Sequence, residues 1–205
     1  MKVYESKDLR NLGLFGHAGS GKTSFAEALL LEAGAINRRG TVEEKSTVSD
    51  HNEIEQERGS SVNATPLFAE WNNIKINIID TPGYNDFVGE VISAARVVDT
   101  AAILVNGQNS LEVGSENGWH YAEKNNIPAM FIINKLDFEQ AKFDQCTQDI
   151  IDRWGRSAVV VQYPVQTGPG FNAVIDVYSQ AMYQYPAGGG HGERKDIPDS
   201  EKANA

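Results

Sequence analysis

Residues 9–15, LRNLGLF, are a short apolar run that breaks into the glycine-rich octet GHAGSGKT at residues 16–23. This junction constrains the fold more than any other feature of the chain. A short apolar run ending in glycines is the pattern of a buried strand running into a loop. Beyond the loop, Phe25, Ala28 and Leu29 recur at helical spacing among good helix formers, and Gly34 stands where a left-handed C-terminal cap belongs. Strand, loop and helix in this order are the context in which G-x-x-x-x-G-K-[ST] makes a phosphate-binding loop. Glycines let backbone N–H groups wrap phosphates, Lys22 reaches β- and γ-oxygens, and the Thr23 hydroxyl suits Mg²⁺. The helix N-terminus adds the positive end of its dipole. A flexible strand-to-helix turn is the plain alternative.

The rest of the chain keeps the same rhythm. Residues 35–63 show neither strand nor helix period and carry many charges, the mark of a long functional or mobile loop. Residues 65–71 and 74–79 read as strands joined by Asn72 and Asn73, which tolerate the left-handed conformations of a tight hairpin, with Ile74, Ile76 and Ile78 on one face. Residues 84–98 and 115–126 read as helices, and AAILV at 101–105 and AMFIIN at 129–134 as buried strands. Phe143, Cys146, Ile150 and Trp154 form a further helical stripe that Gly155 can end, and residues 157–165 read as another strand. From Thr167 the character changes: a short strand-like NAVIDVY precedes a stretch, PAGGGHGERKDIPDSEKANA, with no apolar period, expected to be mobile. Alternating strands and helices predict an α/β fold of three layers, a mostly parallel sheet covered on both faces.

Composition narrows the function classes. With 28 acidic against 18 basic residues the formal charge is −10, which argues against a broad nucleic-acid face and against direct sequence-specific nucleic-acid binding. Cys146 is the single cysteine, so no disulfide framework exists within the chain and a reducing compartment is expected. The start, MKVYESKDLR, has no apolar core of an export signal, and no apolar stretch is long enough for a bilayer. The expectation is a soluble, cytoplasmic protein without a membrane partner.

Two further motifs follow apolar strands. In IIDTPG, residues 78–83, Asp80 stands where a phosphate-loop nucleotidase needs a carboxylate facing Mg²⁺, and the Gly83 N–H can bond a γ-phosphate. Alone, Asp-Thr-Pro-Gly is equally a good turn sequence. In Asn134-Lys135-Leu136-Asp137, a carboxylate such as Asp137 can accept two hydrogen bonds from guanine N1–H and its 2-amino group, and adenine offers no such pair. Asn134 can tie this loop to the phosphate loop, and the Lys135 stem can lie over the base. Its plain alternative is a helix start with Asp137 as N-cap. Three motifs in this order at successive strand ends favour the nucleotide reading.

GHAGSGKT, EQERGSSV, DTPGY, NKLD and NAVIDVYSQAMYQYP, in this order and spacing, resemble elongation factor G and its divergent elongation factor G-like relatives, the translational GTPases. The resemblance runs from Asn11 to about Pro198, and pairing GHAGSGKT with DTPGY is more similar to the divergent branch. It implies a phosphate-loop GTPase fold, with a GTP-binding core over residues 1–156 and the start of an inserted α+β subdomain with its tail over 157–205. It also implies an N-terminal fragment, since the Ser-Ala loop of the base pocket and all later domains are missing.

For the site, the resemblance implies GTP or GDP held by Gly16, His17, Ala18, Gly19, Ser20, Gly21, Lys22 and Thr23, by Asp80, Thr81, Pro82, Gly83 and Tyr84, and by Asn134, Lys135, Leu136 and Asp137. Thr23, Ser61 and Asp80 would hold Mg²⁺, Ser61 standing where the family has a metal-binding threonine, and Lys22, Gly83 and Tyr84 would carry catalysis. Two positions depart from the family: Gly19, where an acidic residue is usual, and Tyr84, where translational GTPases place a histidine that orients the attacking water. A phenol stays uncharged at neutral pH and cannot become cationic as imidazole can, though it still bonds a water. The implied activity is a slow Mg²⁺-dependent GTPase that acts as a monomer on the ribosome. A nucleotide-gated binding module with little hydrolysis is the alternative that Tyr84 keeps open, and an ATP-using phosphoryl-transfer enzyme the one that Asp137 argues against. Arg58 is expected to pair with Glu55 or Glu57, and Trp119 and Cys146 to pack in the core.

Overall fold

The computed structural model describes residues 3–155, 158–187 and 190–202. They fall into two compact units, one running to Asn106 and resuming over Glu112–Asn134, the other comprising Gly107–Leu111 and the chain from Lys135 onward.

In the first unit the chain runs β1 (Leu9–Gly16), α1 (Lys22–Glu32), α2 (Glu53–Arg58), β2 (Thr65–Trp71), β3 (Ile74–Asp80), α3 (Val88–Ala94), β4 (Thr100–Asn106), α4 (Val113–Lys124) and β5 (Ala129–Asn134). The five strands form one sheet in the order β2-β3-β1-β4-β5. All neighbours are parallel except β2, which turns back antiparallel on β3 at the sheet edge. Parallel strands buried on both faces read as continuous apolar runs, and β4 shows how alternate side chains are shared out. Ala102 and Leu104 join Leu14, Ala26, Leu30 and Ile78 on the α1 side, whereas Ala101 and Ile103 join Phe15, Val91, Ala94 and Ala122 on the side of α3 and α4. The unit therefore has the three layers expected of this fold class. Trp119 lies on the second face, its ring stacked on Phe131 with centroids 5.6 Å apart.

Local expectations hold where turn chemistry is explicit. Asn72 and Asn73 adopt φ of 47° and 64°, the pair of left-handed residues that a two-residue hairpin needs. At the end of α1, Ala35 N–H donates to Leu30 O at 2.8 Å and Gly34 N–H to Leu31 O at 2.9 Å, the paired bonds of a left-handed helix stop. The expected helix over residues 84–98 is shorter: a 3₁₀ turn at Asn85–Phe87 precedes α3. Phe87 departs from helical geometry (φ −107°, ψ 21°), and the core claims Val98 just before β4.

The second unit holds α5 (Phe143–Trp154) and the strands β6 (Gln162–Pro164), β7 (Ala173–Asp176), β8 (Ala181–Gln184) and β9 (Glu193–Lys195), an antiparallel sheet in the order β6-β7-β8-β9. Cys146 and Ile150 face inward on α5, with the Cys146 thiol 3.6 Å from Gly107 O, and α5 stops at Gly155. Two expectations need correction. The strand foreseen over residues 157–165 is only Gln162–Pro164 among the described residues, because its sole partner β7 is itself four residues long, and Val159 and Val161 stay exposed. Within the stretch expected to be mobile, where composition gave no sign of a strand, Glu193–Lys195 forms β9, whose pairing with β8 needs backbone groups and no apolar side chains; part of that stretch lies outside the described residues. No described helix is long and apolar enough to cross a membrane.

Phe15 is fully buried and Phe68, on the outer face of β2, is 55% exposed. Phe15→Ala is expected to cost about 3–5 kcal/mol in urea unfolding, and Phe68→Ala under about 1 kcal/mol. Equal losses would contradict this division between core and surface.

Candidate functional site

The first unit gathers two of the sequence motifs at the C-terminal ends of β1 and β3, where ligands of open α/β sheets bind. β1 ends at Gly16, and after the loop α1 begins at Lys22 with Gly21 left-handed at φ 95°. A β-carbon at Gly21 would strike the Asn134 amide, which donates to Ser20 O at 2.9 Å. Asn134, at the end of β5, thus ties its own strand end to the phosphate loop.

Lys22 is 6% exposed, and its ammonium donates to Gly16 O at 3.0 Å and His17 O at 2.9 Å. Burial draws its pKa down to about 8, against the opposing pull of Asp80, Asp50 and Glu112. The second motif meets the same loop from the other side. A β-carbon at Gly83 would collide with Ala18 N and stand 2.5 Å from Lys22 Nζ, so only glycine brings this backbone so close. Thr81, fully buried, fastens the motif by donating to Leu14 O at 2.6 Å.

Asp80 closes β3 opposite Leu14 of β1 and is 1% exposed. Burial pushes its carboxyl up to about 6 despite a hydrogen bond from Thr23 and the Lys22 charge. The Thr23 hydroxyl donates to Asp80 Oδ2 at 2.8 Å and lies 3.3 Å from Ser61 Oγ, which donates to Asp50 Oδ1 at 2.7 Å. Asp80 Oδ1 is buried and makes no well-formed hydrogen bond among the described residues, the nearby Ser49 hydroxyl acting on the carboxyl more weakly than Thr23 does. This group of hydroxyl and carboxylate oxygens with an orphaned carboxylate oxygen suits a small hard cation.

Sequence reasoning did not single out Asp50. It sits among many carboxylates of an aperiodic stretch, and only burial, at 5% exposure, separates it from them. That burial raises its pKa, against the Ser61 hydrogen bond. Glu55 was likewise hidden: its carboxylate accepts the N–H groups of Val62 and Asn63 at 2.9 and 3.0 Å, just after Ser61. The expected ion pair from Arg58 is therefore replaced. Glu55 turns inward, and the Arg58 guanidinium lies over the Phe87 ring at 5.5 Å.

His17 accepts the Gly114 N–H on Nδ1 at 3.3 Å, and its Nε2 lies 3.8 Å from Glu112 Oε1. Tyr84 is 45% exposed and lines a cavity of about 370 Å³ with His17, Pro82, Gly83, Val91 and Asn117. A β-carbon at Gly19 would meet nothing within 4 Å, but its φ of 77° is a left-handed backbone that side-chain-bearing residues rarely adopt, so the backbone and not a neighbour favours glycine here.

The remaining third-motif residues belong to the second unit. Lys135 is left-handed at φ 62°, with its ammonium 5.7 Å from the Phe138 ring centroid. Leu136 is buried, and its carbonyl accepts Gly168 N–H at 2.7 Å. Asp137 is exposed in a turn, and α5 begins only at Phe143 with Lys142 before it, so Asp137 is not a helix N-cap.

Comparison with known proteins agrees with this geometry. A family model described as the elongation factor Tu GTP binding domain matches residues 7–186. Elongation factor G of Rhodopseudomonas palustris (strain BisB18) is 36% identical over 176 residues, 86% of this chain and 26% of that protein. Elongation factor G of Mycoplasma pneumoniae is 34% identical over 196 residues, 95% of this chain and 28% of that protein. A solved structure from Thermus thermophilus superposes with a TM-score of 0.88 at 31% identity, covering 95% of this chain and 29% of that one. The chain spans little more than a quarter of the length of these relatives. Its match to the family over most of its length makes it a member of the elongation factor Tu GTP-binding domain family, similar throughout to elongation factor G.

Proposed function

We propose that this chain is the GTP-binding and GTP-hydrolysing domain of an elongation factor G-like translation factor that acts on the ribosome as a cytoplasmic monomer. The observation that carries the reading is the junction of Lys22, Thr23, Asp80 and Ser61 at the phosphate loop. Backbone N–H groups of Gly16, His17, Ala18, Gly19, Ser20 and Gly21, with Lys22, grip the phosphates. Asn134, Lys135, Leu136 and Asp137 hold the guanine, Asp137 accepting N1–H and the 2-amino group. The GTP-binding core is assigned to residues 1–156 and the start of an inserted subdomain to 157–205.

Thr23, Ser61 and Asp80 fit Mg²⁺, the orphaned Asp80 Oδ1 giving the clearest sign. Bound to those oxygens, the ion would offset the negative charge of the phosphates. Transferring the γ-phosphoryl group to water needs positioning and electrostatic stabilisation more than covalent chemistry. Lys22 and the Gly83 N–H stabilise the γ-oxygens as charge redistributes, and Thr81 and Pro82 fix where Gly83 stands. The Tyr84 hydroxyl orients the attacking water without supplying a positive charge, so hydrolysis is slow without an activator.

The second reading, a nucleotide-gated binding module that hydrolyses negligibly, draws on Tyr84 itself, a phenol in place of an imidazole and 45% exposed. Phosphate release by the full-length protein with and without ribosomes separates the two: multiple turnovers support the GTPase, and their absence supports the binding module. Restoring an imidazole should raise the rate, so Tyr84→His is expected to speed ribosome-stimulated single-turnover hydrolysis roughly tenfold or more. An unchanged rate removes Tyr84 from the mechanism. For the base, Asp137→Asn is expected to weaken GTP binding about a hundredfold and to erase the preference for GTP over ATP in a competition titration. For the cation, Thr23→Ala should raise the Mg²⁺ concentration needed for half-maximal GTP binding by about tenfold or more.

A further inference from the structure

We propose that Glu27 is a positioning residue that holds the loop carrying Asp50 and Ser61 against α1 and thereby sets the preference of the site for tri- over diphosphate. The inference rests on the reading of Ser61 as a metal-binding hydroxyl.

Glu27 is fully buried on α1. A carboxylate in that setting is costly unless its oxygens are satisfied, and here each oxygen takes one backbone donor. Gly40 N–H donates to Oε2 at 2.8 Å and Val48 N–H to Oε1 at 2.6 Å. Between these two points the chain closes on itself, with Ser46 N–H donating to Thr41 O at 3.1 Å and Thr41 N–H to Ser46 Oγ at 3.0 Å. The lobe is pinned at its neck by the buried Glu27 carboxylate, with Arg39 at the exposed rim donating to Ser24 O of α1 at 3.2 Å.

From Val48 the chain runs straight into the site. Ser49 and Asp50 are 1% and 5% exposed, Asp50 accepts the Ser61 hydroxyl at 2.7 Å, and Ser61 Oγ lies 3.3 Å from Thr23 Oγ1. Thr23 and Glu27 are spaced i, i+4 on α1 and share one helix face. The path from Glu27 through Val48, Asp50 and Ser61 thus returns to the helix it left, one turn away. A triphosphate that engages Ser61 needs this loop in place, whereas a diphosphate gripped by the phosphate loop does not. Loosening the neck lowers the fraction of molecules with Ser61 positioned, and apparent affinity falls by that fraction for the triphosphate alone.

The test uses the full-length protein, a non-hydrolysable GTP analogue and GDP, each titrated with Mg²⁺. Glu27→Gln keeps the volume but turns an amide N–H toward one of the two backbone donors. It is expected to weaken analogue binding roughly tenfold, with GDP affinity changed less than about twofold, and to speed tryptic cleavage after Arg38, Arg39 and Lys45 in the analogue-bound state. Equal losses for both nucleotides, or no loss for either, would overturn the proposal. Ser61→Ala, run alongside, separates the two layers of argument. If it lowers the analogue-to-GDP preference and Glu27→Gln does not, Glu27 alone loses its role; if Ser61→Ala leaves the preference intact, the metal-binding reading of Ser61 fails and takes the Glu27 proposal with it. Should Glu27→Gln not fold, Glu27→Asp, shorter by one methylene and too short to reach both donors, carries the same comparison.

Discussion

Burying an ammonium group is what the first unit has to solve, and most of its architecture follows from the solution at Lys22. Desolvating such an ion costs several kcal/mol unless nearby dipoles and charges compensate. The compensation comes from Gly16 and His17 carbonyls within the loop and from the Asp80 carboxylate on a different strand. Because β1 and β3 pair in parallel with Leu14 opposite Asp80, the acid reaches the start of α1 without any irregular excursion of the chain. Parallel pairing requires a crossover between the two strands, and that crossover is where the long loop of residues 35–63 finds room.

Features governed by short-range rules were legible in the sequence. The asparagine pair at the hairpin, the stop after α1 at Gly34, the helix end at Gly155 and the octet between β1 and α1 each have a local physical cause, so a window of a few residues contains the answer. The acidic loop was opaque for the opposite reason. Glu27, Asp50 and Glu55 do their work by pointing inward to backbone N–H groups or a hydroxyl far along the chain. Nothing in the local composition separates Asp50 and Glu55 from Glu43, Glu53 or Glu57 in the same acidic stretch, and Glu27 reads as an ordinary polar position on a helix. Arg58 illustrates the same blindness from the other sign of charge: proximity along the chain suggested a carboxylate partner, and three-dimensional packing supplied an aromatic ring.

The second unit shows where apolar patterning misleads in both directions. Three successive valines at residues 159–161 looked like the centre of a strand but precede it, because a strand extends only as far as its neighbour does. Glu193, Arg194 and Lys195 looked unlike any strand yet pair along β8, with Lys195 Nζ donating to Gln184 Oε1 at 2.6 Å. At a sheet edge the outward side chains can be charged at little cost, and charge there discourages unwanted pairing with other chains.

The rim position of β2 limits how far any rearrangement of the preceding segment can propagate. β2 hydrogen-bonds to β3 on one side alone, and the strands beneath the phosphate loop, β3, β1 and β4, are stitched together without it. Within the sheet, peeling back residues 35–64 would therefore tug on a single outer seam; the other ties to be broken include side-chain hydrogen bonds to Glu27 and Thr23 of α1 and to Glu90 of α3. A chain laid out in this way lets the outer segment be unfastened without unpicking the inner strands, and draws the line between them by strand order.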